Sequence, residues 1–117
     1  MATDDKATTP EDITRLFVDR ANAQDIDGLV DLYEEDAVMA FPPGQETRGH
    51  NQIRALLERM LESAPTFEYE EPIATLYFGD LAMTGTPSKD NTGTRIQIVR
   101  KQDDGSWRRI IDRPEDR

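Results

Sequence analysis

The chain has 117 residues, 36% of them hydrophobic, and carries 24 acidic against 14 basic side chains for a net charge of −10. The length fits one domain with a core of its own, and the acidic charge argues against nucleic acid and against anionic membranes as partners. There is no cysteine and a single histidine, His50, which excludes disulfides and any multi-histidine metal site within one chain.

The N-terminal end is polar and acidic, and it lacks the basic and apolar regions of a signal peptide. No apolar run approaches membrane-spanning length. We therefore expect a disordered tail over residues 1–8, a single domain over residues 9–117, and a cytoplasmic location without a membrane partner.

Three helices are predicted. Thr9 before Pro10 is a helix start, and the apolar spacing that follows carries the first helix to about Ala23. A short second helix begins at Asp25 or Asp27, and a third covers residues 50–63 with apolar residues on one face.

The remaining segments alternate in the manner of strands. Ala37–Phe41 is an apolar run that stops at two prolines and a glycine, which is typical of a buried strand and its turn. Further strands are predicted within residues 66–78, 79–85, 91–102 and 106–112. Helices followed by a run of strands indicate an α+β domain, with the helices on one face of the sheet.

Three strings, "FVDRANAQDIDGLVDLYEEDAVMAFPPG", "RGHNQIRALL" and "RKQDDGSWRRIIDRP", resemble the nuclear transport factor 2-like superfamily, which includes SnoaL-like cyclases and ketosteroid isomerase-like proteins. The third string is similar to the closing hairpin of a subgroup of small bacterial proteins, mostly without an assigned activity. The resemblance implies a cone-shaped, curved antiparallel β-sheet covered by three N-terminal helices. This fold is used by enzymes, binding proteins and oligomerisation modules alike.

The steroid isomerases of this superfamily carry an aspartate, a tyrosine and a protonated acid at three positions that correspond here to Phe41, Phe17 and Gln97. A phenyl ring neither takes nor donates a proton. The resemblance therefore implies that the chain is not a steroid Δ-isomerase. If it is an enzyme at all, its chemistry is isomerase-, lyase- or cyclase-like, and the sequence leaves enzymatic activity itself open.

The last hairpin holds the candidate catalytic residues. A two-residue loop at Asp104-Gly105 would place Lys101 opposite Arg108, Val99 opposite Ile110 and Gln97 opposite Asp112. The resemblance puts this face inside the cone, where desolvation would raise the pKa of Asp112 and make it an acid or base, with Gln97 as a hydrogen-bond donor. Alternatively, Asp112 binds a backbone N–H or pairs with an arginine. A register shift of one residue would exchange the two faces.

Two functions from different classes follow. The first is a small-molecule pocket protein that binds an apolar ligand and uses Asp112 for proton transfer; the second is a non-catalytic dimeric module whose cone is filled by its own side chains. No cofactor and no metal are expected. The opposite sheet face, with Trp107 and several isoleucines, is expected to form a homodimer. The predicted pocket residues are Phe17, Tyr33, Met39, Phe41, Leu57, Tyr69, Val99 and Ile110.

Overall fold

The computed structural model describes residues 6–63, 66–87 and 93–114. Three helices and six strands follow one another along the chain: α1 (Pro10–Asn22), α2 (Ile26–Val30), β1 (Tyr33–Met39), β2 (Thr47–Arg48), α3 (Gly49–Ser63), β3 (Leu76–Phe78), β4 (Leu81–Pro87), β5 (Thr94–Lys101) and β6 (Trp107–Arg113).

The strands form one curved, open sheet in the order β2-β1-β6-β5-β4-β3. The predicted α+β architecture is confirmed, with one correction to the antiparallel sheet: β1 runs parallel to β6. The sheet has an inner face, against which α1 and α3 pack, and an outer face that no described helix covers. The inner face therefore holds the core and any site beneath the helices.

Helix α1 begins as the sequence predicts. The Thr9 hydroxyl accepts from the Asp12 backbone N–H, and the Asp12 carboxylate accepts from the Thr9 backbone N–H, which together form a capping box. The predicted tail over residues 1–8 is too long, because Ala7 is buried and its carbonyl accepts from the Trp107 N–H at 2.9 Å. Residues 1–5 and 115–117 lie outside the described residues.

The hairpin between β5 and β6 differs from the prediction in two ways that compensate. Gln102 and Ser106 close a three-residue loop in which Gly105 takes φ +86°, so Lys101 pairs with Trp107 and Val99 with Arg109. An extra residue, Ile110, then bulges out of β6. Beyond this bulge the pairing returns to the predicted one, with Gln97 opposite Asp112.

The shifted register also relocates Trp107. It shares the inner face with Val99 and Arg109 and is 7% exposed, so it does not lie on the outer face as predicted. Its ring packs edge-on against Tyr77, with ring centroids 6.2 Å apart.

Two other strand predictions need correction. The first strand spans Tyr33–Met39, so it starts and ends earlier than the predicted Ala37–Phe41. Its first half was missed because Glu35 and Asp36 are exposed and interrupt the apolar pattern, although the strand pairs with β6 from Tyr33 onward. Of the predicted strand at 66–78, only Leu76–Phe78 is extended in a ladder. Among the described residues, no helix is long and apolar enough to cross a membrane.

Candidate functional site

A cavity of about 320 Å³ lies between the helices and the inner face of the sheet. Its apolar walls come from α1, α3, the chain around β1, the segment between α3 and β3, and the residue after β6. They comprise Phe17, Val18, Met39, Phe41, Leu56, Leu57, Met60, Phe67 and Pro114. The polar wall residues are Thr14, Tyr33, Glu68, Glu70, Thr86, Arg95, Gln97, Arg109 and Asp112. A largely apolar concavity with a few convergent polar groups is typical of a small-molecule site.

Five inner-face side chains form a hydrogen-bonded series that we call the polar network. The Thr84 hydroxyl donates to Gln97 Oε1 at 3.1 Å, and Gln97 Nε2 donates to Asp112 Oδ1 at 3.1 Å. The Tyr33 hydroxyl donates to Asp112 Oδ2 at 2.7 Å, and Arg109 Nη1 donates to the Tyr33 oxygen at 3.2 Å. Both carboxylate oxygens of Asp112 therefore have a donor.

Strand register assembles this network. Thr84, Gln97 and Asp112 stand opposite one another on β4, β5 and β6, and Met39 of β1 completes the row. Side chains in one row share one face. Without the bulge at Ile110, the longer hairpin loop would turn Asp112 to the outer face, so the bulge is what points this carboxylate into the cone.

Asp112 meets both of the expectations that the sequence left open. It lines the cavity and is 2% exposed, as a buried acid or base would be. It also lies 3.5 Å from Arg109 Nη1, which is the arginine pairing of the alternative. The two hydrogen bonds and the ion pair compensate for the free-energy cost of removing this carboxylate from water.

Burial and neighbouring groups of the polar network determine the ionisation states of Tyr33 and Arg109. Burial raises the pKa of the Tyr33 hydroxyl, and the neighbouring carboxylate raises it further, so Tyr33 is a neutral donor. Burial lowers the pKa of Arg109, but the interactions of the guanidinium with the Tyr33 oxygen and the Asp112 carboxylate outweigh this effect and the net shift is upward. Arg109 is therefore a protonated cation inside the cone.

The structure brings most of the predicted site residues to one cavity. Its wall includes Phe17, Tyr33, Met39, Phe41, Leu57, Gln97 and Asp112. The other three predictions need correction. Tyr69 is 66% exposed and donates to Asp19. Val99 is buried in the core and Ile110 lies in the bulge, and neither of them lines the cavity.

Sequence reasoning missed Arg109, Arg95 and Glu70. Under the predicted two-residue loop, alternation would have pointed Arg109 outward, so only the true loop length reveals it. Arg95 and Glu70 form an ion pair on the cavity wall, and Glu70 comes from an irregular segment whose position no local pattern predicts.

The histidine lies outside this site. His50, at the start of α3, contacts the Tyr33 carbonyl oxygen through Nε2 at 2.7 Å. Within residues 6–63, 66–87 and 93–114, no group of three His, Asp or Glu side chains is arranged to hold a metal ion.

Comparison with known proteins gives a family and a fold. A family model described as the SnoaL-like domain matches residues 14–110. A search of curated proteins finds no match.

Solved structures that resemble the chain are distant in sequence. A ketosteroid isomerase-like protein from Erwinia carotovora atroseptica is 16% identical, with 95% of each chain covered and a TM-score of 0.71. An NTF2-like protein with a cystatin-like fold from Novosphingobium aromaticivorans is 17% identical, with 88% of this chain and 76% of that chain covered and a TM-score of 0.67. An NTF2-like protein of unknown function from Pseudomonas putida is 19% identical, with 93% and 87% covered and a TM-score of 0.63. At these identities the likeness concerns the fold.

Proposed function

Because the chain belongs to the SnoaL-like domain family, we propose that it binds an apolar small molecule in the cone and that Asp112 transfers a proton to and from that molecule. The observation that supports this function best is the position of Asp112: a carboxylate that is 2% exposed, on the wall of an otherwise largely apolar cavity. A fixed carboxylate in a site shielded from water is a suitable general base.

The proton transfer would proceed at a carbon next to a carbonyl group. Asp112 takes the proton, the C–H electron pair moves into the new carbon–carbon double bond, and the carbonyl electrons move to oxygen to form an enolate. Return of the proton from Asp112 to the same or a conjugated carbon regenerates the carboxylate. Tyr33 and Gln97 hold the carboxylate in place through the hydrogen bonds to its two oxygens.

The steroid isomerase reaction is not part of this proposal. Phe17 and Phe41 occupy the wall positions at which the resemblance would require a tyrosine and an aspartate. Neither ring exchanges a proton, so Asp112 is the carboxylate on which the chemistry depends.

The competing function is a non-catalytic module with a filled cone. A cavity of about 320 Å³ favours the ligand-binding alternative, because a cone filled by its own side chains would leave no such volume. The two phenylalanines remain the argument for the competing function.

The proton-transfer proposal is tested by hydrogen exchange at a ketone. Acetylnaphthalene, an apolar ketone with exchangeable methyl protons, is incubated in heavy water and its methyl signal is followed by proton NMR. The wild type should accelerate exchange over buffer alone, and Asp112→Asn should lose on the order of 100-fold of that acceleration. Asp103→Asn, an exposed carboxylate in the hairpin loop, is the matched control and should exchange at the wild-type rate. Equal rates for Asp112→Asn and the wild type would remove the catalytic role.

We also propose that the outer sheet face forms a homodimer. One row of apolar side chains crosses five strands of this face and consists of Leu76, Met83, Ile98, Ile111 and Val38. Leu76 is 63% exposed and Ile111 50% exposed in the single chain. An exposed apolar row of this extent is typical of an interface. The nearby Arg100 and Arg108 are paired with Glu34 and Asp31, so two copies could approach without opposing unpaired charges at those positions.

A further inference from the structure

Arg109 is the one cation that the polar network brings into the cone. Its side chain is 8% exposed and contributes to the cavity wall. The guanidinium lies over the Phe17 ring at 5.2 Å and near the Tyr33 ring at 5.7 Å from the ring centroids. These aromatic contacts fix its position in a region of low dielectric constant.

The hydrogen-bonding capacity of Arg109 is largely unused. Within the part of the chain that the structure describes, its only hydrogen bond goes from Nη1 to the Tyr33 oxygen, and Nε is buried without an acceptor. The Asp112 carboxylate, 3.5 Å from Nη1, balances the charge but does not use the other N–H groups. A buried guanidinium with unused donors favours an oxygen acceptor that enters from the cavity.

The charges around the cavity indicate which acceptor fits. Both guanidiniums on the wall already have a carboxylate beside them: Arg109 lies 3.5 Å from Asp112, and Arg95 is ion-paired with Glu70. An anionic ligand would therefore be repelled by the carboxylate next to each guanidinium, whereas a neutral oxygen could accept from Arg109 without that cost. The neighbouring walls are apolar, which suits the carbon skeleton of such a ligand.

We propose that Arg109 binds the carbonyl oxygen of a neutral, otherwise apolar ligand and so determines which molecules the cone accepts. This inference rests on the proposed ligand-binding function and adds the ligand class: neutral ketones, aldehydes or esters, in preference to hydrocarbons and carboxylates of the same shape. Arg109 has a structural role as well, since it holds Tyr33 and Asp112. The test therefore needs a readout that loss of a merely structural contact would leave unchanged.

That readout is the ratio of affinities for matched probes, measured by equilibrium dialysis. Acetylnaphthalene carries a neutral carbonyl, isopropylnaphthalene replaces it by carbon at nearly the same shape, and naphthoate carries an anionic carboxylate. The wild type should bind acetylnaphthalene about tenfold more tightly than either of the other two, which corresponds to one hydrogen bond to a charged donor. Arg109→Met should bind acetylnaphthalene and isopropylnaphthalene equally.

Two further variants control for position and folding. Arg108→Met removes the neighbouring arginine, which is paired with Asp31 on the surface, and should keep the wild-type ratio. If Arg109→Met does not fold, the double variant Arg109→Met, Asp112→Asn replaces it, because it leaves no buried carboxylate without a partner. The double variant should also bind acetylnaphthalene and isopropylnaphthalene equally. Arg95→Met tests the other guanidinium of the cavity wall, whose Nε is also buried without an acceptor among the described residues. This variant should keep the preference for acetylnaphthalene over isopropylnaphthalene, while its binding of naphthoate should weaken because Glu70 loses its partner.

The possible outcomes separate the two proposals. If the wild type binds the ketone and the hydrocarbon equally, or if Arg95→Met rather than Arg109→Met abolishes the preference, the role of Arg109 is overturned while the cavity remains a binding site. If none of the probes binds to the wild type, the ligand-binding function itself fails, and the role of Arg109 fails with it.

Discussion

At the scale of single residues, the hydroxyl of Tyr33 connects the catalytic candidate to the buried cation. It donates to Asp112 and accepts from Arg109, and Tyr33 is fully buried at 0% exposure. The sequence predicts Tyr33 as a pocket residue, but no local pattern places Asp112 and Arg109 at its hydroxyl.

Replacing Tyr33 by phenylalanine should lower the free energy of unfolding by about 1–3 kcal/mol, because one oxygen of the buried Asp112 carboxylate loses its donor. Urea denaturation at neutral pH measures this change. Tyr69→Phe removes a hydroxyl from an exposed side chain and should leave the urea midpoint where it is. A Tyr33→Phe variant as stable as the wild type would show that the polar network contributes nothing to folding.

At the scale of elements, the capping box of α1 makes stability depend on acidity. Asp12 accepts from the backbone N–H and the hydroxyl of Thr8 and from the backbone N–H of Thr9, at 3.0–3.2 Å. Burial raises the pKa of Asp12, but these hydrogen bonds outweigh burial and hold it below its ordinary value of 3.8.

Because the pKa of Asp12 is lower in the folded chain than in the unfolded chain, its stabilising contribution is complete above the unfolded value and is lost as the pH falls through the folded one. Asp12→Ala should therefore be less stable than the wild type at pH 7, and the difference should shrink as the pH falls below 3.8. Urea titrations across this range measure it, with the exposed Glu58→Ala as control. A difference that stays constant with pH would contradict this account of the cap.

The same elements explain what the sequence can and cannot predict. Helix α1 is predictable because Thr9, Pro10 and Asp12 lie next to one another and act locally. The hairpin is predictable only in part, since Asp104-Gly105 marks the turn but does not distinguish a two-residue from a three-residue loop. The bulge at Ile110 has no local signature, and it decides on which face Arg109 and Asp112 lie.

At the scale of the whole molecule, one sheet presents two faces of different character. The inner face carries the polar network under the helices, and the outer face carries the exposed apolar row. The order of elements and the resemblance predicted this division. The contents of the cone could not be predicted in full, because Glu68, Glu70 and Arg95 meet there only through long-range packing.

The proposed homodimer gives a prediction at this scale. Ile111→Lys places a charge within the exposed apolar row and should convert a dimer into a monomer, as measured by sedimentation velocity. Glu58→Lys adds the same side chain to the exposed surface of α3 and should remain dimeric. A monomeric wild type, or a dimeric Ile111→Lys, would contradict the proposed interface.

The most direct test of the whole account is a crystal structure of the protein soaked with bromonaphthalene, with the bromine located by its anomalous scattering. The account predicts a bromine peak within the cone, among Phe17, Leu57 and Met60 and within reach of the polar network. A cone closed by its own side chains, or a peak only on the outer sheet face, would contradict it.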